Sequence, residues 1–214
     1  MPLSVSPDFA NRPMTSFAAE DLSPTDCYKL TTGLVVPRPI GWIGTLSVDG
    51  VANLAPYSFF QAVATNPPVL MFSTGVNDEK IKDSLANARA TGCFTANLVD
   101  FDLSPAMNAS AAEVDPSMSE FILAGLTPKL FGTVEAPGVA EAKAVMECRV
   151  VNEIEFGSGS PRHVVMFGEV VAIHVIDEIL DGTRVDAEKL DAVGRLAGNG
   201  YSTTRGLFSM ARPQ

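Results

Sequence analysis

Residues 37–63 read PRPIGWIGTLSVDGVANLAPYSFFQAV, two β-rich runs joined by Asp49-Gly50. An Asp-Gly pair between alternating apolar residues is a strong short-range signal for a β-hairpin, because it favours turns whose twist matches that of the strands. The second run contains Asn53 and Pro56, which are unusual within a core strand. Proline has no backbone N–H and is tolerated at sheet edges, strand starts or bulges. The stretch therefore predicts a hairpin whose second strand is irregular.

Two interpretations of this second strand remain open. On residue types alone, the simpler one is a bulged edge strand with buried aromatic side chains. In the other, Pro56 ends regular pairing and leaves neighbouring backbone groups available to a ligand. These groups belong to Leu54, Ala55, Tyr57 and Ser58. A planar heterocycle with alternating donors and acceptors would suit such an edge, because the Asn53 amide also supplies both kinds of group.

Helices are expected in four regions, one of which is a short helix in the tail that starts at Asp186. Ser23 as N-cap and Pro24 at the first helical position begin one helix. Residues 75–92 predict a second helix, capped by Asn77 or Asp78. Two shorter helical pieces are expected between residues 102 and 124.

Hairpin-connected strands dominate the rest of the chain. The two longest strand patterns are residues 144–156 and 163–176, which flank a Gly/Ser loop. This order lacks the regular strand–helix alternation of a parallel sheet, so it predicts a mainly β fold, an antiparallel barrel with peripheral helices. The expected organisation is an N-terminal arm (1–22), a single domain (23–205) and a C-terminal tail (206–214).

Composition excludes several classes of function. The chain has 214 residues and a formal net charge of −10, which argues against a nucleic-acid partner because such proteins need a basic face. No secretory signal and no apolar run of membrane-spanning length is visible, so we expect a soluble protein without membrane association. Three scattered cysteines and two histidines predict neither a disulfide framework nor a metal site, and they suit the cytoplasm.

The stretch STGVNDEKIKDS, residues 73–84, is a candidate phosphate site. A strand end, a glycine turn and a helix start follow one another, and helix N-termini bind phosphate readily. The candidate ligands are Ser73, Thr74, Lys80, Lys82, Asp83 and Ser84. The alternative is an ordinary capped helix with a solvated lysine face, in which Asp78 and Glu79 satisfy the helix dipole.

His163 follows the Gly/Ser loop, beside Arg162. It could face a ligand, although a lone histidine on a strand is more often a structural hydrogen-bonding group. The loop GSGSPR is not a dinucleotide fingerprint, because a strand follows it rather than a helix.

Four segments in order resemble one family. These are PRPIGWIGTLSVDGVANLAPYSFF, NDEKIKDSLANARATGCFTANLV, RHVVMFGEVV and the tail segment LDAVGRLAGNGY. Together they resemble the flavin-reductase-like proteins with an FMN-binding split barrel, over roughly Tyr28 to Tyr201. The resemblance implies an antiparallel Greek-key split β-barrel and a homodimer that holds FMN near the subunit interface.

The same resemblance implies roles for individual residues. Asn53, Leu54, Ala55, Pro56, Tyr57 and Ser58 would meet the isoalloxazine, and Thr45, Ser73, Thr74, Lys80, Lys82, Asp83 and Ser84 would lie along the ribityl and phosphate side. Arg38 and His163 stand at motif positions that approach flavin or nicotinamide, with His163 as the catalytic candidate. Arg195 and Tyr201 belong to the closing motif. Two departures from the pattern are Ala197 in place of Gly and Ser84 in place of Thr.

The function implied is an NAD(P)H:flavin oxidoreductase, in which hydride passes from nicotinamide to flavin N5. A flavin-dependent oxygenase or another redox protein is its possible partner. Two alternatives are an FMN-bound electron carrier without NAD(P)H turnover and a split-barrel protein that binds another ligand.

Overall fold

The computed structural model describes residues 11–77, 81–158 and 162–213. The helices are α1 (Pro24–Leu34), α2 (Asp83–Thr91), α3 (Ser104–Ala109), α4 (Glu120–Leu123) and α5 (Ala187–Leu190). The strands are β1 (Arg38–Pro39), β2 (Gly41–Leu46), β3 (Ala52–Tyr57), β4 (Phe60–Thr65), β5 (Pro68–Val76), β6 (Cys93–Asn97), β7 (Pro128–Lys129), β8 (Gly138–Val139), β9 (Ala144–Phe156), β10 (Arg162–Val175), β11 (Leu180–Asp181), β12 (Arg184–Val185), β13 (Val193–Arg195) and β14 (Tyr201–Thr203). Every ladder between the described strands is antiparallel.

Seven strands form a barrel in the order β3-β2-β6-β9-β10-β5-β4. β3 and β4 stand at opposite ends of this order, yet only Ser58 and Phe59 separate them in the chain. Three Cα–Cα steps reach at most about 11 Å, so the two ends of the sheet must meet. A Cβ on Gly41 of β2, the residue paired with Tyr57 of β3, would lie 2.3 Å from the Phe60 ring of β4, so β4 packs closely against this end of the sheet.

The connection from β5 through α2 to β6 brings the chain back beside β2. This return after consecutive antiparallel strands is a Greek-key connection. The mainly β, antiparallel Greek-key split barrel that the sequence predicted is therefore confirmed. A separate three-stranded sheet, in the order β1-β13-β14, attaches the C-terminal segment to the residues that follow α1.

Two buried clusters stabilise the fold on opposite sides of β2. Ile43 packs with Phe72 and Phe94 in a cluster between the barrel strands and α2. The neighbouring Trp42 points the other way, into a cluster with Phe121 beneath α3 and α4. Successive residues of a strand face opposite sides, so this single strand links both clusters.

The start predicted for the first helix matches that of α1, whereas the start predicted for the second helix differs from that of α2. The Ser23 hydroxyl accepts a hydrogen bond from the Asp26 N–H at 3.1 Å, which confirms the expected N-cap. The start predicted for the second helix, at Asn77 or Asp78, is wrong for Asn77, because α2 begins only at Asp83; Asp78 lies outside the described residues. Among the residues described, no helix is both long and apolar enough to cross a membrane.

Candidate functional site

The predicted site residues meet at the bend between β3 and β4, where three cavities adjoin. The edge cavity lies between β3 and the start of α2, the arginine cavity contains Arg38 and Arg195, and the histidine cavity contains His163. The edge and arginine cavities share Pro56, and the arginine and histidine cavities share Arg38 and Ser58. The arginine cavity therefore adjoins both of the others, and the three lie side by side around the bend.

The edge cavity contains most of the predicted flavin contacts. The predicted residues that line it are Asn53, Ala55, Pro56, Tyr57, Lys82, Asp83 and Ser84. Its opposite wall is residues 110–114, which follow α3, and it includes Ala111, Ala112 and Val114. The cavity thus combines a largely apolar wall with a cationic end at Lys82.

β3 is the outer strand of the sheet order, and its pairing with β2 continues past the proline. The ladder pairs Pro56 with Trp42 and runs on to Tyr57, so the expectation that Pro56 ends regular pairing is wrong. The Leu54 N–H points away from β2, since it donates to Glu120 at 3.1 Å. Backbone groups alternate in direction along an antiparallel strand. The Pro56 nitrogen therefore also faces outward, where its missing N–H removes no ladder hydrogen bond.

Asn53 is buried, and its side chain is fully occupied by protein groups. Its amide nitrogen donates to both carboxylate oxygens of Glu120 at 3.0 Å. Its amide oxygen accepts from the hydroxyls of Thr45 at 3.1 Å and Ser84 at 2.9 Å. The amide thus fixes β3 against α2 and α4, and it offers no free group to a ligand.

Glu120 is the residue of this site that sequence reasoning missed. Only 5% of its surface is exposed, and it accepts hydrogen bonds from Asn53 and Leu54. Burial raises the pKa of its carboxyl above the ordinary value, and the charge of Asp83 adds to this effect. A lone glutamate in a four-residue helix, more than 60 residues from its partners, carries no signal that motif spacing could detect.

Several other predicted site residues are buried in the protein interior and pack against other protein groups. Thr45, Leu54 and Thr74 are buried and line none of the three cavities. The Tyr57 ring packs 5.1 Å from the Phe72 ring. Burial raises the pKa of the Tyr57 phenol, so this group stays protonated at neutral pH.

The start of α2 keeps one clear candidate for phosphate binding. Lys82 occupies the N-cap position and forms an ion pair with Glu113 across the edge cavity. The Ser84 hydroxyl is used by Asn53, so it donates to the protein. Lys80 lies outside the described residues, and its role stays a prediction.

The histidine cavity lies on the other side of the bend. His163 of β10 is exposed, and its ring centre is 6.1 Å from that of Phe59. Ser73 of β5 also lines this cavity, and its N–H donates to the Phe59 carbonyl at 2.8 Å. An aromatic ring and an imidazole thus flank an accessible space next to the strand bend.

The arginine cavity lies between α1 and the β13–β14 connection. Arg38 is buried, whereas Arg195 is half-buried and stacks on the Tyr201 ring at 4.5 Å. Tyr28 of α1 and Tyr201 both line this cavity. The sequence-predicted Arg38, Arg195 and Tyr201 are thus brought together, although Arg38 was singled out from a different segment than the other two.

Comparisons with known proteins agree with this geometry. Residues 33–189 match the family model of the flavin reductase like domain, a span that contains the edge and histidine cavities and the part of the arginine cavity between its α1 residues and Arg195. An uncharacterized protein of Aquifex aeolicus is 41% identical over 187 residues, which cover 86% of this chain and 93% of that protein.

Two solved structures share the fold over almost their whole length. Nitrilotriacetate monooxygenase component B from Bacillus cereus has a TM-score of 0.89 and 35% identity, over 93% of this chain and 100% of that chain. The 2-nitrobenzoate 2-nitroreductase NbaA of Pseudomonas fluorescens has a TM-score of 0.84 and 28% identity, over 93% of this chain and 96% of that chain. The barrel and its attached helices are thus common to proteins named for different redox reactions.

Proposed function

This chain belongs to the flavin reductase like family, and on that premise we propose that it is an FMN-binding oxidoreductase that takes hydride from NADH or NADPH. The observation that carries the proposal is the edge cavity, where the outer edge of β3 faces an apolar wall and the start of α2. This cavity lies where the family resemblance expects the flavin.

The residues of the edge cavity fit FMN in two respects. Ala55, Pro56, Ala112 and Val114 offer small or flat apolar surface to a planar ring. Lys82 stands at the N-terminus of a nine-residue helix, where a cation and the helix dipole both favour a phosphate group. Lys82 would therefore hold the phosphate, and the edge of β3 would lie along the ring.

Three carboxylates line the edge cavity, those of Asp83, Glu113 and Glu120, and Glu113 is the one that pairs with Lys82. Its carboxylate pairs with Lys82, but both side chains are well exposed, at 68% and 44%. Exposed ion pairs contribute only about 0–1 kcal/mol. A phosphate with two negative charges can therefore replace Glu113 as the partner of Lys82 at little cost.

When bound, FMN supplies the hydride chemistry, accepting from nicotinamide and passing electrons on. The chain has to hold the nicotinamide against the flavin ring, with the reacting atoms about 3–3.5 Å apart. We assign this positioning to the histidine cavity, where Phe59 offers a ring face and His163 a hydrogen-bonding group. The Asn53–Glu120 hydrogen bonds hold the β3 edge rigid, so that the cavity is formed before the cofactor arrives.

The test is anaerobic stopped-flow reduction of the FMN-loaded protein by NADH and by NADPH. We expect a bound yellow flavin that at least one nicotinamide bleaches, and a slower reduction in His163→Ala. Ile173→Ala is the matched control, because Ile173 is exposed on the same strand and lines none of the three cavities. A protein that takes up no FMN refutes the proposal. A yellow protein that neither nicotinamide reduces would instead favour the electron-carrier alternative.

We also propose that the protein acts as a homodimer in the cytoplasm and delivers electrons to a flavin-dependent oxygenase or another redox protein. In support of the dimer, β4 ends the sheet order, residues 61–65 are exposed, and unpaired strand edges invite association. In support of the oxygenase, one structural relative is a component of a monooxygenase. Light scattering after gel filtration tests the dimer, and a monomer at micromolar concentration would refute it.

A further inference from the structure

Two arginines stand directly opposite each other beside the proposed flavin site. The β1–β13 ladder pairs Arg38 with Arg195 in register. Side chains opposite each other in an antiparallel pair lie about 4.5–5.5 Å apart at Cβ, and like charges there are destabilising. Both side chains line the arginine cavity, so this unfavourable pair is placed at an accessible site.

Arg38 is buried, with 5% of its surface exposed. Its guanidinium donates to three backbone carbonyl oxygens, those of Thr32, Val35 and Leu196. Its Nε atom is buried and has no hydrogen-bond partner. Within the described ranges, Arg38 forms no ion pair with a carboxylate, so its charge is met only by neutral groups.

Within the described part of the chain, Arg195 likewise forms no ion pair with a carboxylate. It donates to the Tyr201 hydroxyl and to the Gly198 carbonyl, and both partners are neutral. Arg89 and Arg205, by contrast, each form an ion pair with a carboxylate. The chain has 25 acidic residues against 15 basic ones, so a shortage of carboxylates does not explain the missing partner at this cavity.

We propose that the arginine cavity is an oxyanion subsite, at which Arg38 and Arg195 together hold a carboxylate or phosphate group. An anion between the two guanidiniums removes the like-charge repulsion and gives the unused N–H groups an acceptor. Guanidinium groups match such planar anions with paired hydrogen bonds. Their number and placement suit one oxyanion group rather than an extended polyanion.

The cavity has room for more than the anionic group itself. Its volume is ≈ 380 Å³, which lies in the range of small-molecule sites, and Tyr28 and Tyr201 contribute aromatic walls. It shares Pro56 with the edge cavity and Ser58 and Arg38 with the histidine cavity. That the anion belongs to a compound that reacts with the flavin rests on the proposed function, whereas oxyanion binding does not.

Two kinds of compound carry an oxyanion that would suit this subsite. One is the nicotinamide dinucleotide, through its phosphate groups, and the other is an electron acceptor with a carboxylate. Titration calorimetry with inorganic pyrophosphate and with benzoate, on protein with and without FMN, separates them. The variants are Arg195→Gln, Arg195→Lys and the matched control Arg184→Gln, which removes the same charge from the exposed strand β12.

We expect the wild type to bind at least one probe, and Arg195→Gln to weaken it about tenfold or more, as for a lost charge-assisted hydrogen bond. The affinity of Arg195→Lys for the probe should lie between those of the wild type and Arg195→Gln. The affinity of Arg184→Gln should stay near that of the wild type. Binding of pyrophosphate together with a raised KM for NADH in Arg195→Gln assigns the subsite to the dinucleotide. Binding of benzoate with an unchanged KM for NADH assigns it to a carboxylate acceptor.

Two results would overturn the subsite. One is a wild type that binds neither probe; the other is an equal loss of affinity in Arg195→Gln and Arg184→Gln. Far-ultraviolet circular dichroism and an unfolding midpoint check that each variant folds. Anion binding by a protein that takes up no FMN would refute the proposed function and leave the subsite standing.

Discussion

Removing the Glu120 carboxylate should cost a large part of the stability of the chain. In Glu120→Ala, the Leu54 N–H and the Asn53 amide nitrogen both lose their acceptor in a buried position. A buried donor left without a partner costs about 1–3 kcal/mol, so we expect a loss of about 2–6 kcal/mol in the free energy of unfolding. Single domains have only about 5–15 kcal/mol in total.

Urea denaturation followed by fluorescence measures this loss. The matched control is Glu113→Ala, because Glu113 is exposed and its removal should cost less than about 1 kcal/mol. The double variant Glu120→Ala/Asn53→Ala should be less destabilised than the sum of the two single variants, since the second change removes a donor that the first leaves unsatisfied. A cost for Glu120→Ala no larger than that for Glu113→Ala would refute the buried hydrogen-bond network.

The same carboxylate predicts a pH dependence with a definite sign. Burial raises the pKa of Glu120 above the ordinary value of 4.5, so the folded chain holds this proton more tightly than the unfolded chain. The resulting stability is fully present below pH 4.5 and is lost as the pH rises through the raised pKa. Gln does not titrate, so the stability advantage of the wild type over Glu120→Gln should shrink across that window. If the stability advantage of the wild type over Glu120→Gln grew as the pH rises, the raised pKa of Glu120 would be contradicted.

Three further predictions concern the cofactor, the thiols and a close backbone contact. Lys82→Met should weaken FMN binding about tenfold and leave riboflavin binding unchanged in fluorescence titrations; equal losses would exclude Lys82 as the phosphate ligand. Burial raises the pKa of Cys148 to about 12, so a thiol reagent at pH 8 should leave it unmodified in the folded protein and label the half-buried Cys27, a pattern that labelling of native Cys148 would contradict. Gly44→Ala should cost about 1–3 kcal/mol or more in urea denaturation, because its Cβ would lie 2.2 Å from a carbonyl oxygen, whereas Gly206→Ala meets open space and should cost far less.

Local chemistry was sufficient to predict the elements whose determinants are adjacent in the chain. Ser23 caps α1 through a residue three positions on, and the Asp49-Gly50 turn is closed by a hydrogen bond from the Gly50 N–H to the Ser47 carbonyl at 3.0 Å. Gly50 has a φ of +82°, a conformation that other residues rarely adopt. Both signals depend on a few consecutive residues, so no tertiary contact was needed to predict them.

The start of α2 and the partners of Asn53 were decided by contacts that are distant in sequence. Ser84, in the first turn of α2, is fixed by its hydrogen bond to Asn53, and Leu85 is buried in the core. These contacts place the helix start later than the capping preferences of Asn77 predicted, because tertiary packing outweighs local propensity. The sequence identified Asn53 as unusual and could not show that Glu120, rather than a ligand, takes its amide.

Pro56 lies on the outer strand β3 of the barrel and also lines the edge cavity. A free strand edge normally invites another strand to pair with it. Along β3 the outward N–H of Leu54 is taken by Glu120, and the next outward position is Pro56, which has no N–H to donate. At these two positions another strand therefore finds no free donor, and the β3–β2 ladder on the opposite edge is unaffected. Pro56, which is unusual within a core strand, thus disfavours pairing with a further strand on the side of the edge cavity. It does so without disturbing the barrel ladder on the other side.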